Sequence, residues 1–543
     1  LSVSAPEAQA EAAATTYAAA AGETVVTRDA ATDAVTDGWI ELYLLRDGKV
    51  SKFTTHNVQQ PQGRKEYAYD VKSVESDDSY AITFSMTGDA PEASLRLTAT
   101  DGSATLTLPI GAVTKGENNF TVNKSDLNEE LEYAWEVVVV SDPIAQAGLY
   151  SKDVNGLSAT RGGVVPLDNP EYESFGYVVV GHGRNQGIDV YNPAGEKVAS
   201  RIFKGHAMFG GASNTNQSDP FRGNELQGKA VLATWGDNGY GAVVIDPLDT
   251  QAEPFSLFSG TKDKSGCFIT DEGTLLGGGN SGLDFLTDEK GDNWMIMFSE
   301  DHNNTNGGGG NDNSITRSHL SGPWTITEAP TVLGYKGLMA NTNVDVTSYG
   351  TGAFVSQVRG AGNNAAGTPV FAYISNLLND EDIVEMTSAD DAIVDYINSG
   401  TSGFAITADG KTAVTSTETG IVVLDVEWQG TKPVMTYRYT FPIDTNDWAT
   451  MRFDAAGNLH VYLRQDGYRI YTLRDEHPEA ATPAASKYNF KGAKGVESIE
   501  ISDAAQADAV FYNLQGIMVP AENLTPGIYV KVAGNKATKV IVK

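Results

Sequence analysis

The sequence predicts an all-β chain: a six-bladed β-propeller, seven blades at most, with a small β-sandwich at either end. Three observations predict it. Glycine is abundant, 57 of 543 residues, and long apolar runs are few, which marks a turn-rich chain. Short alternating runs recur at about 8–12-residue spacing between Gly, Asn and Asp turns. One unit of strand, turn, strand, polar loop and strand returns through the middle of the chain.

Charge and composition narrow the partners. Seventy acidic against 38 basic residues leave a net charge of −32. Such a field repels nucleic acid and anionic head groups, so we expect neither as a partner. No stretch reaches the ~18 consecutive apolar residues of a membrane span. The single cysteine, Cys267, excludes an intrachain disulfide framework and any multi-cysteine metal site. It sits in an apolar run beside Phe268 and Ile269, which reads as buried filler.

Residues 1–35 hold an alanine-rich stretch with no apolar face to bury, read as a tether or frayed helix. Leu1 is not an initiator methionine, and we expect sequence upstream of it. Residues 36–142 are read as one β-sandwich. Trp39–Phe53 gives two strands joined at Asp47-Gly48, a strong hairpin dipeptide, and a second turn falls at Asp101-Gly102. Gly116-Glu117-Asn118, a strand, and then the Tyr133-x-Trp135 strand resemble the immunoglobulin-like domain of flagellar hook-capping proteins and their secreted relatives. Trp135 is read as core.

Residues 143–478 are read as the propeller. The clearest units are 402–426 and 448–473, each with an inner turn (Asp409-Gly410, Gly457-Asn458), followed by 265–287. Weaker copies are 161–192, 223–247 and 342–374, making six. Outer strands are expected at 198–204 and 433–441. A unit with two apolar faces cannot bury them alone, and radial stacking solves that. The glycine- and asparagine-rich stretch 299–323 is read as a loop. Asp301, Asn303, Thr305 and Asp312 faintly echo a calcium loop, but its sixth position is Asn306 rather than Gly. We therefore expect no cofactor, with Ca2+ there as the weak exception.

Propellers usually bind ligands on loops between second and third strands. The repeats place those loops at 181–187, 234–241, 277–282, 356–364, 415–420 and 463–468. They carry His182, Arg184, Trp235, Asp237, Tyr240, Arg359, Asn363, Arg464 and Asp466 as candidate ligand-binding residues. Aromatics beside Asn, Asp and Arg suit sugar rings, one face packing on C–H groups while forked donors and acceptors meet hydroxyls. The plain alternative is polar turns.

Catalytic readings find less. Residues 287–294 resemble the Asp-box of sialidases, a structural turn: Gly291 and Trp294 fit, while Glu289 stands for Asp and Asn293 for Thr. Arg184, Arg359 and Arg464 in equivalent loops could bind a carboxylate, but no Tyr–Glu nucleophile pair completes such a site. With 70 acidic residues, facing carboxylates discriminate nothing. Histidine spacing supports no zinc site, and there is neither a phosphate-binding loop nor a nucleophile elbow. No catalytic residue is assigned.

Residues 479–543 are read as a linker and a C-terminal β domain. Phe511-Tyr512-Asn513-Leu514-Gln515-Gly516, then Leu524-Thr525-Pro526-Gly527-Ile528-Tyr529-Val530, then the terminal Lys-Val-Ile-Val-Lys resemble the C-terminal sorting domains of Bacteroidetes secreted proteins. The resemblance implies export and display at the outer-membrane surface. The expectation is thus a secreted or surface binding protein, without catalysis, holding a glycan or another surface protein on the propeller loops. A carbohydrate-active hydrolase or lyase on the same face, and a structural spacer or adhesin component, are the alternatives. Oligomeric state is not readable.

Overall fold

The structure, a computed structural model, describes residues 39–46, 49–56, 64–141, 162–182, 187–201, 207–213, 228–235, 242–253, 255–257, 279–300, 314–321, 325–327, 344–357, 371–378, 403–417, 420–441, 449–463, 467–473, 479–492, 510–513, 516–533 and 536–542, with short isolated strands besides. All the regular structure described is strand apart from single-turn 3₁₀ segments. No described helix is long and apolar enough to cross a membrane.

Among the described residues six antiparallel strand groups follow one another and form the blades, those of blades 2 and 3 bridged at Trp235–Gly279 and that of blade 5 extended by the parallel pair Thr387–Ser388. Blade 1 is Gly162–Pro166, Val178–His182, Gly187–Tyr191 and Lys197–Arg201. Blade 2 is Ala207–Ser213, Ala230–Trp235, Ala242–Ile245 and Phe255–Ser256. Blade 3 is Gly279–Thr287, Asn293–Glu300, Ser314–His319 and Thr331–Val332. Blade 4 is Val344–Tyr349, Gly352–Gln357, Phe371–Ser375 and Asp382–Val384. Blade 5 is Phe404–Ile406, Thr412–Thr417, Gly420–Gln429 and Lys432–Phe441. Blade 6 is Ala449–Phe453, Asn458–Leu463 and Gly467–Thr472.

Packing closes these sheets into a ring. A separate apolar cluster fills each seam from blades 1–2 through blades 5–6. The sixth cluster joins Tyr462, Tyr468 and Ile470 of blade 6 to Val164, Val178, Val180 and Tyr191 of blade 1. A middle strand pressed between two neighbours is covered on both faces, and Gly187–Tyr191, Ala242–Ile245 and Asn458–Leu463 are buried at every residue. This is a β-propeller.

The repeats map onto blades 1, 4, 5 and 6 in the expected frame. In blade 2 the unit 223–247 supplies the second and third strands, and Ala207–Ser213 comes before it. Blade 3 corrects the reading. The stretch 277–282 is no second-to-third-strand loop, since Gly279–Thr287 is the blade's first strand. Glycines there hid the strand by supplying backbone pairing with little side-chain pattern. Part of the stretch taken as loop, 299–323, is also strand: Ser314–His319 pairs with Asn293–Glu300. It buries Ile315 together with the small polar Thr316 and Ser318, too few apolar side chains to show as a strand pattern in the sequence.

The N-terminal sandwich has two sheets. Ala68–Glu75, Ser79–Met86 and Gly116–Asn123 form one. Ala90–Ala99, Thr105–Val113 and Glu132–Val140 form the other. Residues 479–491, assigned by sequence to the linker, complete the second sheet. Glu479–Pro483 and Phe490–Lys491 both pair with Glu132–Val140. The propeller is therefore inserted between two pieces of one sandwich. Trp135 is core, 3% exposed, with its Nε1 donating to the Tyr488 carbonyl at 2.6 Å.

The C-terminal unit pairs Val510–Asn513, Met518–Val519, Gly527–Ala533 and Lys536–Val542 in one sheet around Phe511, Tyr529 and Val540. Its proposed strand 496–501, the calcium-like positions Asp301, Asn303, Thr305 and Asp312, and Cys267 lie outside the described residues. Most of the alanine-rich start does too.

Candidate functional site

Antiparallel connectivity sorts the turns of a blade between two ends. Turns from first to second and from third to fourth strands share one end, and second-to-third connections share the other. The sandwich meets the first of these ends. Arg64 Nη1 donates to the Pro193 carbonyl at 2.7 Å, in the turn between the third and fourth strands of blade 1. Tyr67 packs edge-on against Phe175, and its hydroxyl reaches the Gly176 carbonyl at 3.4 Å. The Ser486 amide donates to Glu171 at 2.5 Å. Asn458 of blade 6 pairs with the peptide of Lys65, accepting its N–H at 2.6 Å and donating to its carbonyl at 3.4 Å.

A buried polar relay lies beneath this joint. Asp454 opens a tight turn, accepting the Asn458 amide at 2.8 Å and the Asn458 side chain at 3.0 Å. His460 Nε2 lies 3.1 Å from Asp454, and Nδ1 lies 2.7 Å from the Tyr468 hydroxyl. With Nε2 protonated toward the carboxylate, Nδ1 accepts the phenol proton, so all three groups are satisfied. Burial raises the Asp454 pKa, but the bonds from His460 and Asn458 outweigh it and hold the carboxyl below its usual range. Asp168 of blade 1 accepts the Ala455 amide; burial and the nearby Asp454 push its carboxyl well up. The adjoining cavity, lined by Arg64, Tyr67, Asn192, Asp454, His460 and Tyr468, measures about 10 Å3. It has room for a single water and none for a substrate, so the relay works as a joint.

A second polar group lies inside the ring. Arg452, on the first strand of blade 6, reaches Asp345 on the first strand of blade 4 through both Nη atoms, at 3.1 and 3.0 Å. It also donates to the Val346 carbonyl at 3.1 Å and the Phe404 carbonyl of blade 5 at 3.4 Å. One side chain thereby ties three blades together. Asp284 of blade 3 accepts the Ser348 amide of blade 4 at 2.7 Å.

The second strands of blades 1 and 2, which lead into two of the predicted ligand-binding loops, end away from the sandwich. His182 and Trp235 close the second strands of blades 1 and 2, with their side chains outside the described residues. Arg184, Asp237, Tyr240, Arg359, Asn363, Arg464 and Asp466 lie outside the described residues entirely, in second-to-third connections of blades 1, 2, 4 and 6. In blade 3 that connection is 301–313. Among the described residues no three His, Cys, Asp or Glu side chains gather as a metal would need.

The Asp-box-like turn is real but anchored one residue earlier than expected. Asp288, not Glu289, accepts the amides of Lys290 and Asp292, each at 2.9 Å, and Trp294 Nε1 at 3.4 Å. Sequence reasoning passed over Arg452, Asp345, Asp284, Asp454 and His460. A usable signal existed: in blades 3, 4 and 6 one charged residue interrupts an apolar first strand (Leu283-Asp284-Phe285, Val344-Asp345-Val346, Met451-Arg452-Phe453).

No family model matches the chain, and no curated protein matches it. Among solved structures it is similar to a hypothetical selenium-binding protein of Sulfolobus tokodaii, with 10% identity, 74% of this chain and 94% of that one covered, and a TM-score of 0.37. It is also similar to the Cps50 (Swd1) β-propeller domain of Myceliophteria thermophila (10% identity, 63% and 94% covered, TM-score 0.33). Hydrazine synthase of Kuenenia stuttgartiensis is a third (10% identity, 64% and 93% covered, TM-score 0.34). At these scores the likenesses carry no argument here, and the propeller rests on its own closed ring of blades.

Proposed function

We propose that the protein is a non-catalytic binding protein of the cell surface or the secreted fraction, holding a glycan or another surface protein on the second-to-third-strand loops. One observation carries this reading. The described contacts between sandwich and propeller go to the opposite end of the ring, so the loop end is the one left for a ligand. His182 and Trp235 stand at the base of two of those loops. Loops on a rigid scaffold are where recognition residues usually sit. A net charge of −32 favours uncharged hydroxyl-rich ligands over nucleic acid. Export to the surface is supported by the motif order of residues 511–543.

The test is a glycan array probed with the purified chain beside Trp235→Ala and Arg184→Ala. Binding by the parent that both substitutions abolish supports a carbohydrate site on the loop end. Product analysis of bound glycans then separates binder from hydrolase or lyase. Absence of binding to every glycan overturns the glycan reading and leaves a protein ligand or a spacer role.

A further inference from the structure

Among the described residues, the charged group on the first strands of blades 3, 4 and 6 has two carboxylates and one guanidinium. Asp284 and Asp345 are both buried, at 1% and 3% exposure, and Arg452 lies between blades with them. Both Nη atoms of Arg452 are committed to Asp345, at 3.1 and 3.0 Å, and its Nε has no partner among the described residues. Asp284 is left with two peptide N–H donors, Ser348 at 2.7 Å and Phe285 at 2.8 Å, and has no ion-pair partner among the described residues. Two buried carboxylates thus share one guanidinium whose fork is already filled.

We propose that Asp284 is a buried proton-binding site of the propeller, which takes up a proton in mild acid and thereby tightens the seam between blades 3 and 4. Burial pushes its carboxyl up to about 6; Arg452 and the two amides pull it down, and Asp345 adds to the rise. Among the described residues no titratable group besides Arg452 and Asp345 acts on it. Blade 4 presents Asp345 and Ser348, and blade 6 presents Arg452. The first two strands of blade 2, Ala207–Ser213 and Ala230–Trp235, contain no titratable residue. The second strand of blade 3 has only Glu300, paired opposite Gly279 at the far end of the ladder.

The sign follows from linkage. An unfolded aspartate titrates near ~4, so between about 4 and 6 the folded chain holds a proton that the unfolded chain has lost. This contribution is complete below the unfolded value and disappears as pH rises through about 6.

The test is thermal unfolding of the full chain and of Asp284→Asn between pH 5 and 7.5. The melting temperature of the parent minus that of the variant should increase as pH falls through about 6. A pH-independent difference overturns the proposal. If the variant does not fold, hydrogen exchange of the parent decides. Protection of the 344–349 amides, corrected for intrinsic exchange and referenced to strand 420–429, should rise from pH 7.5 to 5.5. Constant or falling protection overturns it.

Discussion

The indole of Trp135 stacks on the ring of Phe490, with centroids 4.7 Å apart and planes 21° from parallel. Phe490 stacks in turn on Tyr80 at 4.1 Å. Trp135 precedes the propeller and Phe490 follows it, so the sandwich core is completed only when the chain has passed through all six blades. Phe490 is fully buried, and Phe490→Ala should cost about 3–5 kcal/mol, the range for an aromatic cavity in a core. Urea unfolding followed by tryptophan fluorescence measures it. A loss below about 1 kcal/mol would show that the sandwich does not depend on the returning segment.

Arg452 should be among the most sensitive positions in the propeller. Arg452→Ala leaves Asp345 buried without its cation and strips donors from the Val346 and Phe404 carbonyls. Breaking one side of a buried pair costs about 3–5 kcal/mol, while replacing both sides with apolar residues costs much less. The double variant Arg452→Met with Asp345→Leu should therefore be more stable than Arg452→Ala alone. Denaturant midpoints of the three proteins check this, and equal losses would argue against a charge-pair origin.

The fold was legible where local chemistry is strong. Asp47-Gly48 does sit between paired strands Trp39–Arg46 and Lys49–His56, and Asp101-Gly102 lies in the turn between Ala90–Ala99 and Thr105–Val113. The repeats gave the propeller where the turn between first and second strands recurs, as at Gly410 of blade 5 and Gly457 of blade 6. The segment Glu479–Pro483 was not legible: Glu-Ala-Ala-Thr-Pro has no apolar alternation, and it becomes a strand through pairing with Val137–Val140 far away in sequence. The joint relay was hidden for a similar reason. Asp454, Asn458 and His460 are close in sequence, but Asp168 and Lys65 join them only after blade 1 meets blade 6 and the sandwich docks.

Acid should weaken the joint through Asp454. Burial raises its pKa, the bonds from His460 and Asn458 lower it by more, and the net direction is down. A carboxyl depressed on folding contributes stability above its unfolded value near ~4, lost as pH falls below that. Asp454→Asn should therefore be less stable than the parent at pH 7, and the gap should narrow below about pH 4. Chemical denaturation at pH 7, 5 and 3.5 measures the gap. A gap that stays constant to pH 3.5 would rule out the ionised carboxylate as its source.

Two glycine turns allow conformation and space to be separated. Gly291 has φ +87° with nothing within 4 Å of an added Cβ, so Gly291→Ala meets only the left-handed backbone penalty, about 1–2 kcal/mol. Gly410 has φ +68°, and a Cβ there would lie 2.0 Å from the Tyr349 hydroxyl oxygen and 2.2 Å from the carbon bearing it. The Tyr349 ring is stacked on Trp428 at 5.0 Å, and Trp428 Nε1 donates to the Gly410 carbonyl at 2.9 Å, so the ring cannot withdraw without disturbing that contact. Gly410→Ala should therefore cost more than Gly291→Ala. Adding Tyr349→Leu, which removes the obstructing hydroxyl, should make the glycine substitution less costly than it is alone. A double-mutant cycle measured by thermal unfolding gives that coupling directly, and zero coupling would leave backbone strain as the whole cost.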